Sequence, residues 1–292
     1  YHGCGAEGKG RLSGGPLTCS SVFLTVFDRA LPCLPRERYS RRAMKGNTVT
    51  DQERWAESLA RSEAYMNWVA DCLVPLLGKR VFEAGMGIGG FTGRILKQGA
   101  FERYVGCDSD PTAVARGRER LAEFLAPRGP LSLCCGDLRR LPVGDPGGPR
   151  PGAFDTVLSC CCLEHLSDDE EPRVLAALAG MLLPGGALVL YLPACPAAFG
   201  SLDRGTNHFR RYRLGELTRR VTALGFARET GYYHNLPGLA YWFYQGRVRN
   251  VPSPAHLPPA SFWSERFIDG YRRLEAWVHP PRGLCLVAKF VK

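Results

Sequence analysis

The chain has 292 residues, 45% hydrophobic and 23% charged, a composition that excludes a disordered or fibrous polymer and suffices for one large buried core. No apolar run approaches the ~20 residues of a membrane-spanning helix. The net charge of +10 is uneven, with residues 1–50 contributing +5, residues 51–203 −5 and residues 204–292 +10, so a basic C-terminal part follows an acidic centre.

Residues 1–50 show little periodicity. They start at Tyr1, are rich in Gly, Ser and Arg, and hold one short apolar stretch at 22–27. They read as a poorly structured extension, with Met44 as the expected start of the functional chain. The apolar spacing at 52–77 is helical. Strand 80–84, helix 90–98, strand 103–107, helix 111–125, strand 131–134, strand 154–159, helix 169–182 and strand 187–192 follow. The Gly- and Pro-rich run at 144–152 is a loop. Beyond Pro193 come helix 214–224, strand 226–233, an insertion at 235–281 with two helical stretches, and a last strand at 284–290. Alternating strands and helices predict an α/β protein with a parallel sheet. Residues 51–292 read as one domain, with 235–281 as a helical lid on the substrate side.

Twelve cysteines are present without a C-x-x-C pair. Cys134 and Cys135, and Cys160, Cys161 and Cys162, are adjacent at predicted strands, where neighbours face opposite sides and cannot readily share a bridge partner or a metal. They read as free thiols in a reducing, cytoplasmic setting, with no metal site.

The chemistry starts at the first strand. Val81, Phe82, Glu83 and Ala84 lead into Gly85, Gly87, Gly89 and Gly90, where glycine lets the backbone turn tightly and a ligand press on main-chain N–H groups at a helix start. Gly85, Gly87 and Gly90 also satisfy G-x-G-x-x-G, and Asp108 follows near the expected interval, so a nicotinamide dinucleotide is an open alternative. Glu83 favours a different ligand. A carboxylate beside the turn repels a pyrophosphate but attracts the ammonium and sulfonium of S-adenosylmethionine. Three further strand ends carry polar groups in order. Asp108, with Ser109, suits ribose hydroxyls; Asp137, with Leu138, suits an adenine amino group; Ser159 and Cys160 lead into Leu163, Glu164 and His165 beneath the methionine arm. In an open parallel sheet, ligands lie across the carboxyl ends of the strands, so these ends describe one cleft.

These segments resemble motifs I to IV of the class I S-adenosylmethionine-dependent methyltransferases, over roughly residues 51 to 292. The resemblance implies a Rossmann-like seven-stranded, mostly parallel sheet with helices on both faces, the last strand antiparallel and a helical insertion before it. It extends to a bacterial-type subgroup, often without an assigned substrate and sometimes fused to lipid-linked glycosyltransferases. The shared features are Tyr65 to Trp68 ahead of the first strand, Leu163-Glu164-His165, and Gly200 to Asp203 leading to His208-Phe209-Arg210-Arg211-Tyr212. Cys161, Cys162 and the proline-rich 251–263 segment depart from the subgroup pattern.

The reaction implied is in-line displacement at a methyl carbon, in which the protein aligns the reactants and removes a proton. His165 is the first candidate base, with a packing histidine beside Glu164 as its alternative. His208 and Tyr212 are the second candidates, and Arg210 and Arg211 suit an anion clamp or, alternatively, a helix cap. Tyr233 and Trp242, in aromatic clusters of the insertion, are candidate acceptor contacts or simple core packing. The expected acceptor is a small or lipid-linked molecule with a hydroxyl, amine or carbon nucleophile. The basic C-terminal part suits an anionic acceptor or peripheral contact with a membrane surface, or is only a solvated face. An RNA methyltransferase is the enzymatic alternative, disfavoured because the fourth strand lacks the Asp/Asn-Pro-Pro-Tyr/Phe motif of enzymes acting on base amines. A non-catalytic S-adenosylmethionine-binding protein is the alternative from another class.

Overall fold

Arginine and serine interrupt the first helical run. The computed structural model describes residues 51–127, 129–140, 150–258 and 265–292, all within the unit Gly46–Lys292. The extension 1–50, most of the 144–152 loop and the end of the 251–263 segment lie outside the described residues. In place of one helix over 52–77 there are two, Asp51–Ala60 (α1) and Glu63–Leu73 (α2). They are separated at Ser62, which is extended and buried, so that α2 can lay Ala64, Met66, Val69, Ala70 and Leu73 on the core.

Arg80–Ala84 (β1), Gly90–Gln98 (α3), Arg103–Asp108 (β2), Pro111–Arg120 (α4), Leu131–Cys135 (β3), Phe154–Cys160 (β4), Glu171–Gly180 (α5) and Leu182–Pro193 (β5) then alternate as the periodicity predicts. Helix α4 starts sharply because Asp110 accepts a hydrogen bond from Thr112 N at 2.9 Å and Pro111 holds the first turn. It stops five residues earlier than its apolar spacing suggests and continues as a short 3-10 turn, Ala122–Phe124. Strand β5 starts five residues earlier than predicted. Pro184, Gly185 and Gly186 interrupt the apolar pattern, yet Leu182 still pairs with Phe154 before the register shifts.

Ser201–Gly205 (α6), Leu214–Thr222 (α7), Ala227–His234 (β6), Leu236–Phe243 (α8), Glu265–Glu275 (α9) and Cys285–Val291 (β7) complete the described elements. The sheet order is β3-β2-β1-β4-β5-β7-β6, with β7 antiparallel to both neighbours and the other six strands parallel. Those six therefore end on one edge, where the predicted polar strand ends gather. Consecutive residues serve opposite faces: Phe82 joins Val105, Phe154 and Leu188 in one layer, and Val81 joins Tyr104, Leu158 and Val189 in the other. Burial on both faces explains the near-continuous apolar runs of β4 and β5. Phe82, Tyr104 and Phe154 are fully buried, each contributing about 1.5–3 kcal/mol.

The insertion is tied into this body rather than hinged over it. Ile268 and Tyr271 of α9 pack on Ala64 and Trp68 of α2, with the Trp68 and Tyr271 rings 5.6 Å apart. Glu275 accepts the Asn235 N–H at 2.9 Å, and the Asn235 side chain in turn caps α8. No described helix is long and apolar enough to cross a membrane.

Candidate active site

The glycine turn after β1 has φ of 78°, 55° and 75° at Gly85, Gly87 and Gly89, values that L side chains rarely adopt. The loop is pinned to β2 by Gly85 N and Met86 N donating to Cys107 O at 2.8 and 3.1 Å, and by Gly87 N donating to Asp108 Oδ2 at 2.8 Å. Asp108 thereby orients the loop as well as closing β2. A Cβ at Gly85 would lie 2.3 Å from Cys162 Sγ, whereas one at Gly87 would project into open space. The two glycines are needed for different reasons: Gly85 for the close approach of the segment after β4, Gly87 for room in front of the loop.

Glu83 lies beneath this turn, 1% exposed, and accepts hydrogen bonds from Thr92 Oγ1 at 2.7 Å and Tyr104 Oη at 2.9 Å. Burial pushes its carboxyl up to about 7; the two hydroxyl donors oppose that shift and the nearby Asp108 charge adds to it. Thr92 and Tyr104 have no motif of their own and were not legible as site residues. Ser109 is exposed, and Ser159 and Cys160 are buried at the end of β4, the Ser159 hydroxyl beside the Cys162 thiol. Leu138 is buried at the start of a 3-10 turn. Asp137 is gripped by Arg139, whose Nη2 lies 2.7 Å from Oδ2 and whose Nη1 also reaches Glu170 at 3.0 Å. These hydrogen bonds hold the Asp137 carboxyl below its ordinary range, so it is more firmly committed to Arg139 than the sequence suggested.

The two motifs carrying His165 and His208 meet in space. Phe209 N donates to Glu164 O at 2.8 Å and His165 Nδ1 donates to Asn207 O at 3.3 Å. The two imidazole rings stand edge-on, 4.9 Å between centroids. His208 Nδ1 faces Asp203 Oδ1 at 3.2 Å while its Nε2 faces Glu164 Oε1 at 3.9 Å. Glu164 is fully buried, its carboxylate oxygens have no hydrogen-bond partner, and burial pushes it up to about 7, against the pull of His208.

Asp203, seen in the sequence only as a motif end, organises this corner. Burial works against its charge. The Arg211 guanidinium, His208 and the Trp242 indole outweigh burial and hold its carboxyl at about 2. Arg211 Nε lies 2.7 Å from Oδ1, and Trp242 Nε1 and Gly200 N lie 3.1 and 2.9 Å from Oδ2.

The structure therefore corrects five expected roles. Arg211 is buried, committed to Asp203 and the Ala194 carbonyl, and Arg210 is buried against Asp168, Glu171 and the Leu166 carbonyl; neither guanidinium is presented to an anion. Tyr212 is a core residue, 3% exposed, with its hydroxyl beside Glu171, which together with burial pushes the phenol up. Tyr233 accepts the Leu214 N–H at 3.2 Å and so fixes the start of α7. Trp242 is buried against Asp203, with its ring 5.2 Å from the Arg211 guanidinium. In each case local sequence showed a reactive side chain and tertiary packing supplied its partner. The nine described cysteines are free thiols, eight of them at least partly buried and Cys135 exposed.

Residues 81–186 match the family model described as a methyltransferase domain. An uncharacterized methyltransferase of Geobacillus kaustophilus is 30% identical over 47% of this chain and 62% of its own length, so the chain spans somewhat under two thirds of that relative. The ubiquinone biosynthesis O-methyltransferase of Xanthomonas euvesicatoria is 29% identical over 60% of this chain and 71% of its own length. Among solved structures, Haemonchus contortus phosphoethanolamine N-methyltransferase 2 in complex with S-adenosylmethionine shares the fold with a TM-score of 0.52, 17% identity, and coverage of 83% of this chain and 57% of its own. The matched segment is similar to a methyltransferase domain, and the fold is shared with a solved structure that holds S-adenosylmethionine.

Proposed function

We propose that this chain, which matches a methyltransferase-domain model at residues 81–186, is a class I enzyme that transfers the methyl group of S-adenosylmethionine to a hydroxyl of a small or lipid-linked acceptor, with Glu164, His165 and His208 at the reacting end of the cleft. The observation that carries the reading is the junction of glycine turn and histidine corner: Gly85 abuts Cys162, and Cys162 immediately precedes the turn Leu163–His165. The cradle fits the cofactor because Gly87 leaves open space before the loop and Glu83 offers a buried carboxylate to a cation. When bound, the cofactor supplies an electrophilic methyl on a sulfonium.

The side chains do the rest. Glu83, Asp108 and the loop amides position the donor. Asp203 accepts the Nδ1–H of His208, leaving the Nε2 lone pair on the side of Glu164, and the Asn207 carbonyl fixes His165 in the same tautomer. An acceptor hydroxyl there can pass its proton to Nε2 as its oxygen bonds to the methyl carbon. The ubiquinone-biosynthesis relative favours a hydroxyl over an amine or carbon acceptor, and membership of the bacterial-type subgroup fits the same corner motifs. A nucleic-acid acceptor is not favoured.

Calorimetric titration with S-adenosylmethionine and, separately, with NAD(H), followed by transfer of labelled methyl into fractionated cell extract, tests the function. Tight binding of NAD(H) with none of S-adenosylmethionine would overturn it. Gly87→Ala should keep the fold, at about 1 kcal/mol for the left-handed backbone, while weakening S-adenosylmethionine at least tenfold. Gly85→Ala should lower stability as well, through its clash with Cys162. Equal effects of the two on stability and affinity would remove the assigned difference.

Glu83 makes a pH prediction. Its folded carboxyl is raised to about 7 from 4.5, so protonation favours the ligand-free fold: that contribution is full below about pH 4.5 and is lost as pH rises through 7. A cationic ligand selects the ionised form. S-adenosylmethionine affinity should therefore climb by up to about tenfold per unit as pH rises toward 7 and level off above it, and Glu83→Gln should flatten that profile. A profile unchanged by Glu83→Gln would detach Glu83 from the cofactor.

A further inference from the structure

The corner of Glu164, His165 and His208 has the donors of a metal centre. One ligand atom from each lies within 4.8 Å of the other two. Two donors bound to the same zinc-type cation at about 2.1 Å each stand up to roughly 4.2 Å apart, and His208 Nε2 and Glu164 Oε1 are already at 3.9 Å.

Two independent observations point to a cation rather than a packed polar cluster. Glu164 is 0% exposed, and neither of its carboxylate oxygens has a hydrogen-bond donor; the charged form of such a carboxylate is tolerated only with a cation beside it. Both imidazoles are also prepared from behind. His208 Nδ1 is held by Asp203 and His165 Nδ1 by the Asn207 carbonyl, an outer-shell arrangement that sets ring orientation and leaves His208 Nε2 facing Glu164 as a ligand atom. Asp203 is itself fixed by Arg211, Trp242 and Gly200 N, so the His208 ring has little freedom.

We propose that Glu164, His165 and His208 bind one divalent transition-metal cation of the zinc type, with at least one coordination position left open toward the cleft. Two imidazole nitrogens and one carboxylate oxygen suit such an ion and leave too few oxygen ligands for magnesium or calcium. The inference rests on the reading above for donor and acceptor and replaces its base: with His208 Nε2 on the cation, an acceptor oxygen reaching the open position is acidified by the metal and its proton passes to solvent.

The test uses the full chain, stripped with EDTA and dialysed, then titrated with Zn2+ and with Co2+. About one metal per chain is expected by elemental analysis. The cobalt form should show d–d absorption without the near-ultraviolet band of a cobalt–thiolate bond. His165→Ala and His208→Ala should each lower affinity at least tenfold, while His256→Ala, outside the corner, leaves it unchanged. Glu164→Gln provides a second readout that does not depend on the histidines: the metal-free variant should melt higher than the parent, because a buried unpaired charge is gone, and should lose the thermal shift caused by Zn2+. Absence of metal binding at 0.1 mM Zn2+ (roughly 5.5 kcal/mol), a thiolate band, or full binding by Glu164→Gln and His208→Ala overturns the proposal. Methyl transfer by metal-free enzyme would remove this inference and leave the function, whereas one bound metal without S-adenosylmethionine binding would do the reverse.

Discussion

Replacing Asp203 by Asn is expected to destabilise the fold by about 3–5 kcal/mol, the cost of leaving a buried charge without its partner. Arg211 is buried and its Nε has Asp203 Oδ1 at 2.7 Å; a neutral amide keeps the shape but not the compensation. Thermal melting should fall by roughly 10 °C at this chain length. The pH dependence has a definite sign. The Asp203 carboxyl is depressed to about 2 from its ordinary 3.8, so its contribution is present in full above about pH 4 and is lost as pH falls through 2. Acid unfolding of the parent should include this step and that of Asp203→Asn should lack it. A variant that melts within 2 °C of the parent (about 1 kcal/mol) would show that the corner is not held together by this carboxylate.

His208→Ala is expected to lower turnover by about 10²–10⁴-fold, with S-adenosylmethionine affinity changed less than twofold (about 0.4 kcal/mol). The ring faces Glu164 and His165, whereas the proposed donor site is at Glu83 and the glycine turn. The imidazole is also anchored to Asp203, so melting must be checked alongside; the expected result is a kinetic loss in a chain that still binds donor. His165→Ala should lose less if its ring mainly orients His208, and as much if both donors act together. Unchanged turnover in either variant removes that histidine from the reaction. Pre-steady-state measurement of the first methyl transferred separates this loss from slow product release.

Much of the glycine turn and of the polar strand ends was legible in local sequence. The turn at Gly85, Gly87 and Gly89 is written in residue types because backbone with positive φ selects glycine locally. Asp108 and Asp137 announced themselves by standing at the ends of apolar runs. The histidine corner was legible only as two separate motifs. His165 and His208 are 43 positions apart, and nothing periodic links a turn after β4 to the loop after α6; the Phe209 to Glu164 backbone bond that joins them forms only when β4 and β5 lie side by side. The misreadings share one origin. Arg210, Arg211, Tyr212 and Trp242 are residue types common in sites, and the sequence carries no sign that Glu171 and Asp203 would be buried within reach of them.

By itself the sequence determined the order of strands and helices, the two-faced burial of the sheet and the glycine bend, because periodicities of 2 and 3.6 and the steric freedom of glycine act between near neighbours. Tertiary structure alone decided which charges are spent inside the protein and which donors converge on Glu164. Burial and pairing depend on groups brought together from distant parts of the chain, and an ionisable side chain takes its role from the partners and the dielectric that surround it.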